Sequence, residues 1–375
     1  MSMNALQRHV AARIRMNGPI SVAEFMAEAL ANPRHGYYRH ATALGRDGDF
    51  ITAPEISQMF GELIGAWLAE RWVAMGRPDP CLLAELGPGK GTLLADALRA
   101  SKSVPGFHAA IDLHLIEINE HLRAAQRVAL AEHTPRWHEG IASLPEGPLL
   151  LVANEFFDAL PIRQLVRTAR GWCERRVALA ADDQGLRFMV DPGPSLLAAL
   201  LDPALGGAAE GAVAEIAPAA IALAAEIARR VAGDGGAALI VDYGRATPST
   251  GSSLQALRGH RRADPLADAG EADLTAHVDF PSLMAVARQH KAAIAGPVSQ
   301  GAFLAALGIA ARAERLKAGA SASQQRDIDS ACARLIEPAQ MGSLFQALAI
   351  YHPGQTIPAG FAAQHAGMAD RQGTT

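Results

Sequence analysis

Cys81-Leu82-Leu83-Ala84-Glu85-Leu86-Gly87-Pro88-Gly89-Lys90-Gly91-Thr92-Leu93-Leu94-Ala95-Asp96-Ala97-Leu98 is the stretch that decides the fold class. A short apolar run, glycines at alternate positions and an amphipathic run spell a buried strand, a tight turn and a helix. Glycine lets the backbone turn sharply and approach a ligand with no Cβ in the way. A second apolar run, Ile111-Asp112-Leu113-His114-Leu115-Ile116, then delivers Glu117 at a strand end. A carboxylate in that place accepts both hydroxyls of a ribose. The pattern predicts a nucleoside-binding crevice.

Working outward, strands are expected near 81–86, 111–117, 136–139 and 149–153, with helices near 92–101 and 119–131. That alternation predicts an α/β fold with a mostly parallel, Rossmann-like sheet and helices on both faces. Residues 1–75 read as a helical region packing on the core, with capping boxes at Ser21-Val22-Ala23-Glu24 and Thr52-Ala53-Pro54-Glu55. Ile56, Met59, Phe60, Leu63, Ile64, Trp67 and Leu68 make a helical apolar stripe. Between the helices lies a glycine-rich loop, Leu44-Gly45-Arg46-Asp47-Gly48-Asp49-Phe50, with two acids. The main domain is expected over 76–353, with a hairpin insertion near 163–210 and a helical one near 300–340. A helix is expected near 212–232, a buried strand at Ala237–Val241, a long loop over 245–275, and late strands at Ala292–Val298 and Phe345–Tyr351. The tail 354–375 lacks periodicity and reads as disordered.

The chain has 375 residues, half of them apolar, and a net charge of −4, which argues against a nucleic-acid surface. Cys81, Cys173 and Cys332 are too far apart for a metal or redox spacing, so no metal site is expected and a reducing compartment suits them. No apolar run approaches the ~20 residues of a membrane span. Arg8, Arg13 and Arg15 precede the first acid, Glu24, as in a transit peptide, but Leu6, Val10 and Ile14 are spaced for an ordinary packed helix.

The glycine turn alone does not choose its ligand. Thr92 stands where a dinucleotide fingerprint places its third glycine, and Lys90 is followed by Gly91 where a phosphate loop needs Ser or Thr. Glu85, two positions before Gly87, would repel a pyrophosphate but favour the ammonium and sulfonium of S-adenosyl-L-methionine (SAM). Glu85, Gly87, Gly89, Gly91 and Glu117 are therefore the expected cofactor residues, with Ile118 along the adenine. The run Leu149–Ala153 ends in Asn154-Glu155-Phe156-Phe157-Asp158, and chemistry in an open parallel sheet sits beyond strand carboxyl ends. Asn154 is expected on the cofactor, and Glu155 and Asp158 at the acceptor, with helix-dipole acids and core phenylalanines as the competing reading. Asp242, Asp273, His277 and Asp279 form a looser group that caps and surface charges also explain.

These residues together resemble the MidA family of class I SAM-dependent methyltransferases. The resemblance rests on Gly18-Pro19-Ile20-Ser21-Val22-Ala23-Glu24-Phe25-Met26, Asn32-Pro33 with Gly36-Tyr37-Tyr38, Gly48-Asp49-Phe50-Ile51-Thr52 and Pro54-Glu55-Ile56-Ser57. It continues through Glu85–Thr92, Glu155–Pro161, Asp242-Tyr243-Gly244, Asp273–Phe280 and Met341-Gly342, so it covers residues 17 to 353. Lys90 stands where many relatives carry Arg, and Ser252–His260 lacks the aromatic character common there. The resemblance implies a seven-stranded sheet whose last strands are antiparallel. It also implies a protein arginine methyltransferase akin to one that dimethylates an arginine on the 49-kDa subunit of NADH dehydrogenase in complex I assembly. Since the family motifs begin at residue 18, it leaves little room for a presequence and points to a bacterial, cytoplasmic protein.

Arginine is a poor nucleophile, because its guanidinium stays protonated. Carboxylates that hold the fork bidentately would localise its charge away from the attacking nitrogen. Glu155 and Asp158 are the expected catalytic pair, with Asp49 closing from the N-terminal loop. A SAM-binding assembly factor without turnover, an NAD-dependent dehydrogenase and a small-molecule methyltransferase remain as alternatives.

Overall fold

In the computed structural model, residues 3–39, 52–182, 185–259 and 261–361 are described. The chain forms two compact units. One holds residues 51–156, 223–244 and 284 onward; the other holds the N-terminal residues to 50 with 157–222 and 245–283.

The first unit is built on strands β1 (Cys81–Leu86), β2 (Ile111–Ile116), β3 (Arg136–His138), β4 (Leu149–Asn154), β5 (Gly236–Arg245), β6 (Ala293–Ser299) and β7 (Phe345–Tyr351). Their hydrogen-bonded order is β6-β7-β5-β4-β1-β2-β3. The pairs from β5 to β3 are all parallel. β7 is antiparallel to both β5 and β6. The last strands thus pair antiparallel, as expected, and β6 lies parallel to β5 because two reversals cancel.

β1, β4 and most of β5 are buried along their length, as near-continuous aliphatic runs covered on both faces should be. Helix Gln58–Ala74 supplies Phe60, Ile64 and Trp67 to the core, which meet Leu83, Leu94 and Leu150. The helical insertion, Gln300–Ala306, Ile309–Lys317 and Ala322–Ile336, packs there too. It is also tied polar to polar, since Glu62 accepts from Arg312 Nε at 2.6 Å and from Arg99 Nη1 at 2.7 Å.

One local expectation fails for a visible reason. Thr52 makes no side-chain cap; Ser57, in extended backbone, caps helix Gln58–Ala74 instead, and Glu55 takes a hydrogen bond from Thr92 Oγ1 at 2.6 Å. Of the tail expected over 354–375, residues 362–375 lie outside the described residues, and residues 354–361 pack on the first unit. Phe361 is buried against Phe303, and Arg71 Nη1 donates to the Thr356 carbonyl at 2.7 Å.

In the second unit, helices Ala5–Asn17 and Val22–Ala31 start with capping boxes at Asn4 and Ser21. Strands Arg163–Thr168, Gly171–Leu179 and Leu186–Pro194 form the expected antiparallel insertion, joined by Ile20–Ser21 and Val213–Ile216. Residues 245–275 are not one long loop: Gln255–Arg258 pairs with Arg261–Ala263 and with Asp273–Thr275 in a small antiparallel sheet. Ala256 and Leu274 are buried in this unit's core with Phe25 and Met26, which two apolar faces too short to show periodicity still achieve.

Candidate cofactor site

Sheet register builds the site. Leu86 of β1 pairs with Ile116 of β2 and with Ala153 of β4. The next residues on these three adjacent strands, Gly87, Glu117 and Asn154, therefore stand at one level, at the carboxyl end of the sheet. Asn154 in turn pairs with Val241 of β5, so Asp242 follows at the same edge.

The turn after β1 needs its glycines. Gly87, Gly89 and Gly91 have φ of 61°, 54° and 85°, in the left-handed region that a side chain disfavours. At Gly87 a Cβ would also fall 2.7 Å from the Phe156 ring. Gly87 N donates to the Ile116 carbonyl at 3.1 Å and Gly91 N to the Pro88 carbonyl at 2.8 Å, which closes the turn.

Glu85 is 3 % exposed, and its Oε2 has no hydrogen-bond partner among the described residues. Burial pushes its carboxyl up to about 8. Glu117 is also buried, and burial raises it too, against the backbone N–H groups of Asn119 and Ile118 that favour the carboxylate. Asn119 N donates to Glu117 Oε1 at 2.8 Å, and Glu117 N to the His138 carbonyl at 3.0 Å. Asn154 Oδ1 is a further buried atom with no partner among the described residues. Ile118 is exposed.

Glu155 adopts φ of 50°. Its Oε1 accepts from Ala53 N at 2.8 Å and from Asn154 Nδ2 at 3.3 Å. Asp242, fully buried, holds the same corner, with Oδ2 accepting from Phe156 N at 3.1 Å and Oδ1 from Tyr243 N at 2.9 Å. Its strand-end position singled it out only as a member of a loose group; the carboxylate serves the backbone that turns away from β4.

Asp158 belongs to the second unit. There it is buried, its carbonyl accepts from Ala276 N at 2.9 Å, and it lies near the Tyr38 hydroxyl, which donates to Asp273 Oδ1 at 3.2 Å. Burial, with Asp273 and Asp158 beside it, pushes the Tyr38 phenol well up. His277, also in that unit, donates its backbone N–H to Ser253 Oγ at 2.8 Å; burial, aided by Arg245, pushes its imidazole down. Asp49 lies outside the described residues. Among the described residues no group of His, Cys, Asp and Glu side chains suits a metal ion.

One participant escapes sequence reasoning: Gln126, whose Nε2 donates to the Gly89 carbonyl at 2.7 Å. A lone glutamine in a charged helix carries no motif.

This edge offers a turn with glycine at every other position, a buried acid without a hydrogen-bond partner on Oε2 among the described residues, and a second buried acid at the end of the next strand. Those features fit SAM better than a pyrophosphate cofactor. The comparisons agree. A family model of SAM-dependent methyltransferases matches residues 63–298. Protein arginine methyltransferase NDUFAF7, mitochondrial, is 38 % identical in Mus musculus, over 94 % of this chain and 85 % of the relative. Its Homo sapiens counterpart is 35 % identical over 94 % and 84 %. A crystal structure from Burkholderia thailandensis bound to S-adenosyl-homocysteine (SAH) is 29 % identical, with a TM-score of 0.81 over 96 % of this chain and 95 % of that one. The chain belongs to the class I SAM-dependent methyltransferases, in the family that the sequence motifs at 85–92 and 155–161 resemble.

Proposed function

We propose that this enzyme methylates arginine side chains of a protein substrate, and that a 49-kDa-type subunit of NADH dehydrogenase is that substrate. The supporting observation is the likeness, over nearly the whole chain, to relatives named protein arginine methyltransferase. SAM supplies the methyl group; the acceptor nitrogen gains it and loses one proton, and SAH is left. In this reading Glu85 faces the ammonium of the cofactor, Glu117 takes the ribose hydroxyls, and Gly87, Gly89 and Gly91 admit it to the backbone. Asn154 presents its amide to the cofactor. Glu155 orients the guanidinium, prepared by the two donors that already fix its Oε1. Asp158 and Asp49 stay in the proposal as further acids for the acceptor cation. The three cysteines are unbridged, which suits a reducing, cytoplasmic setting in a bacterium. No described helix is long and apolar enough to cross a membrane.

Purified NADH dehydrogenase subunits and tritiated SAM test the acceptor. Label on an arginine, located by mass spectrometry, is expected. Label on lysine or none at all would refute the reading, the latter favouring a SAM-binding assembly factor.

Glu85 gives a pH prediction. Its folded carboxyl titrates near 8, whereas an unfolded glutamate titrates near ~4.3. Between those values the folded state holds the extra proton, so ligand-free stability falls as pH rises. Glu85→Gln removes that contribution. Its melting temperature should gain on the wild type progressively from pH 5 to 8, then run parallel. A cation bound beside Glu85 favours the carboxylate, so wild-type SAH affinity should rise over the same range with proton release, read by calorimetry in two buffers. A flat difference in melting temperature would show that Glu85 is ionised throughout.

A further inference from the structure

We infer that Gln126 is a positioning residue, the strut that holds the glycine turn and Glu117 in one geometry for the S-adenosyl nucleoside. Helix Glu120–Ala129 buries a single residue, and it is this amide. An amphipathic helix normally spends its most buried place on an aliphatic side chain, since a buried amide is costly unless both its ends are bonded. Both ends are bonded here. Trp137 Nε1 donates to Gln126 Oε1 at 2.7 Å. Nε2 donates to the Gly89 carbonyl at 2.7 Å and lies 3.4 Å from Glu117 Oε2.

The orientation of the amide follows from its partners. An indole N–H only donates, so Oε1 must face Trp137, and the NH₂ must face the carbonyl and the carboxylate. Trp137 is itself held, with the Arg127 guanidinium 4.8 Å over its ring. Gly91 lets the helix come close, since a Cβ there would lie 3.3 Å from Ala129 Cβ and 3.5 Å from Gln126 Cα. One side chain thus joins the loop after β1 to the acid after β2, adding a side-chain tie beyond the backbone bonds of Gly87 N to the Ile116 carbonyl and of Glu117 N to the His138 carbonyl. A displaced Glu117 would miss the ribose hydroxyls, and a displaced Gly89 would move the turn.

The inference rests on the reading of Glu117 as the ribose acid, and the test separates the two. SAH binding is measured by calorimetry for Gln126→Met, Gln126→Glu, Trp137→Phe and Glu117→Gln, with unfolding followed in parallel. Gln126→Met keeps the volume and loses the donor; its dissociation constant should rise about 10- to 100-fold. Trp137→Phe removes the group that orients the amide and should cost about 3- to 10-fold. Gln126→Glu sets a second carboxylate against Glu117, so the pair must share a proton to coexist. Its affinity relative to wild type should be poor at pH 8 and recover toward pH 6, which a merely structural role would not produce. Gln126 variants that bind within twofold of wild type at both pH values, while Glu117→Gln weakens binding, would overturn the strut. Tight binding by Glu117→Gln would instead overturn the ribose reading. If the Gln126 variants fail to fold, Trp137→Phe decides, and unchanged affinity there overturns the strut.

Discussion

Gly89→Val should abolish SAH binding, weakening it by at least about 100-fold while the enzyme still folds. Gly89 sits at φ 54°, and a β-branched residue is a steric outlier in that region. Valine would have to leave the left-handed conformation, and the Gly89 carbonyl would then leave Gln126 Nε2. It would also set methyl groups at a position of the turn that has no side chain. Calorimetry with SAH measures the loss, and a thermal melt checks that the variant is folded. Gly89→Ala strains the same backbone with less bulk and should fall between. Binding by the valine variant within threefold of wild type would mean that the turn does not carry the cofactor.

Glu155→Gln should cost about 100- to 1000-fold in methyl transfer while SAH affinity stays within about threefold. The substitution keeps an oxygen acceptor for Ala53 N and Asn154 Nδ2, so the backbone at φ 50° retains its support. What disappears is the negative charge. Two cations, the sulfonium and the guanidinium, must meet for transfer, and a carboxylate aligned with the guanidinium fork lowers that repulsion and aims the nitrogen. Single-turnover transfer of tritium from labelled SAM to a purified acceptor subunit reads the chemical step directly. Retained turnover would remove Glu155 from the acceptor site and leave its carboxylate as a clasp for Ala53.

Much of the cofactor edge is legible in the amino-acid sequence. Glu85, the alternating glycines, Glu117 and Asn154 each stand at the end of a short aliphatic run, and a run of that kind has one stable fate, a strand buried on both faces. Parallel pairing then brings their ends level without further information. The antiparallel pairing of the final strands follows from the family resemblance, whereas their order depends on how the insertion Gln300–Ile336 returns the chain to the sheet. Residues 255–275 and 354–361 mislead for another reason. Their apolar residues, Ala256, Leu274 and Phe361, are too sparse for a period, yet each finds a core to enter.

The capping box at Thr52 shows the limit of local rules. Its pattern is right, but Thr92, far along the chain, competes for the Glu55 carboxylate and takes it. Gln126 shows the converse, a residue with no local signature that acquires its role from Trp137 on one side and Gly89 on the other.

By itself the sequence determined the strand-turn-helix unit, the acids at the strand ends and through them the class of cofactor, because these depend on contacts between near neighbours and on the period of apolar residues. Only the tertiary structure decided which polar groups are left unbonded among the described residues, that Asp242 accepts from the backbone at Phe156 and Tyr243, and that a single glutamine joins the glycine turn to the acid after the second strand. Those are properties of burial and of long-range pairing, and neither exists until the sheet has formed.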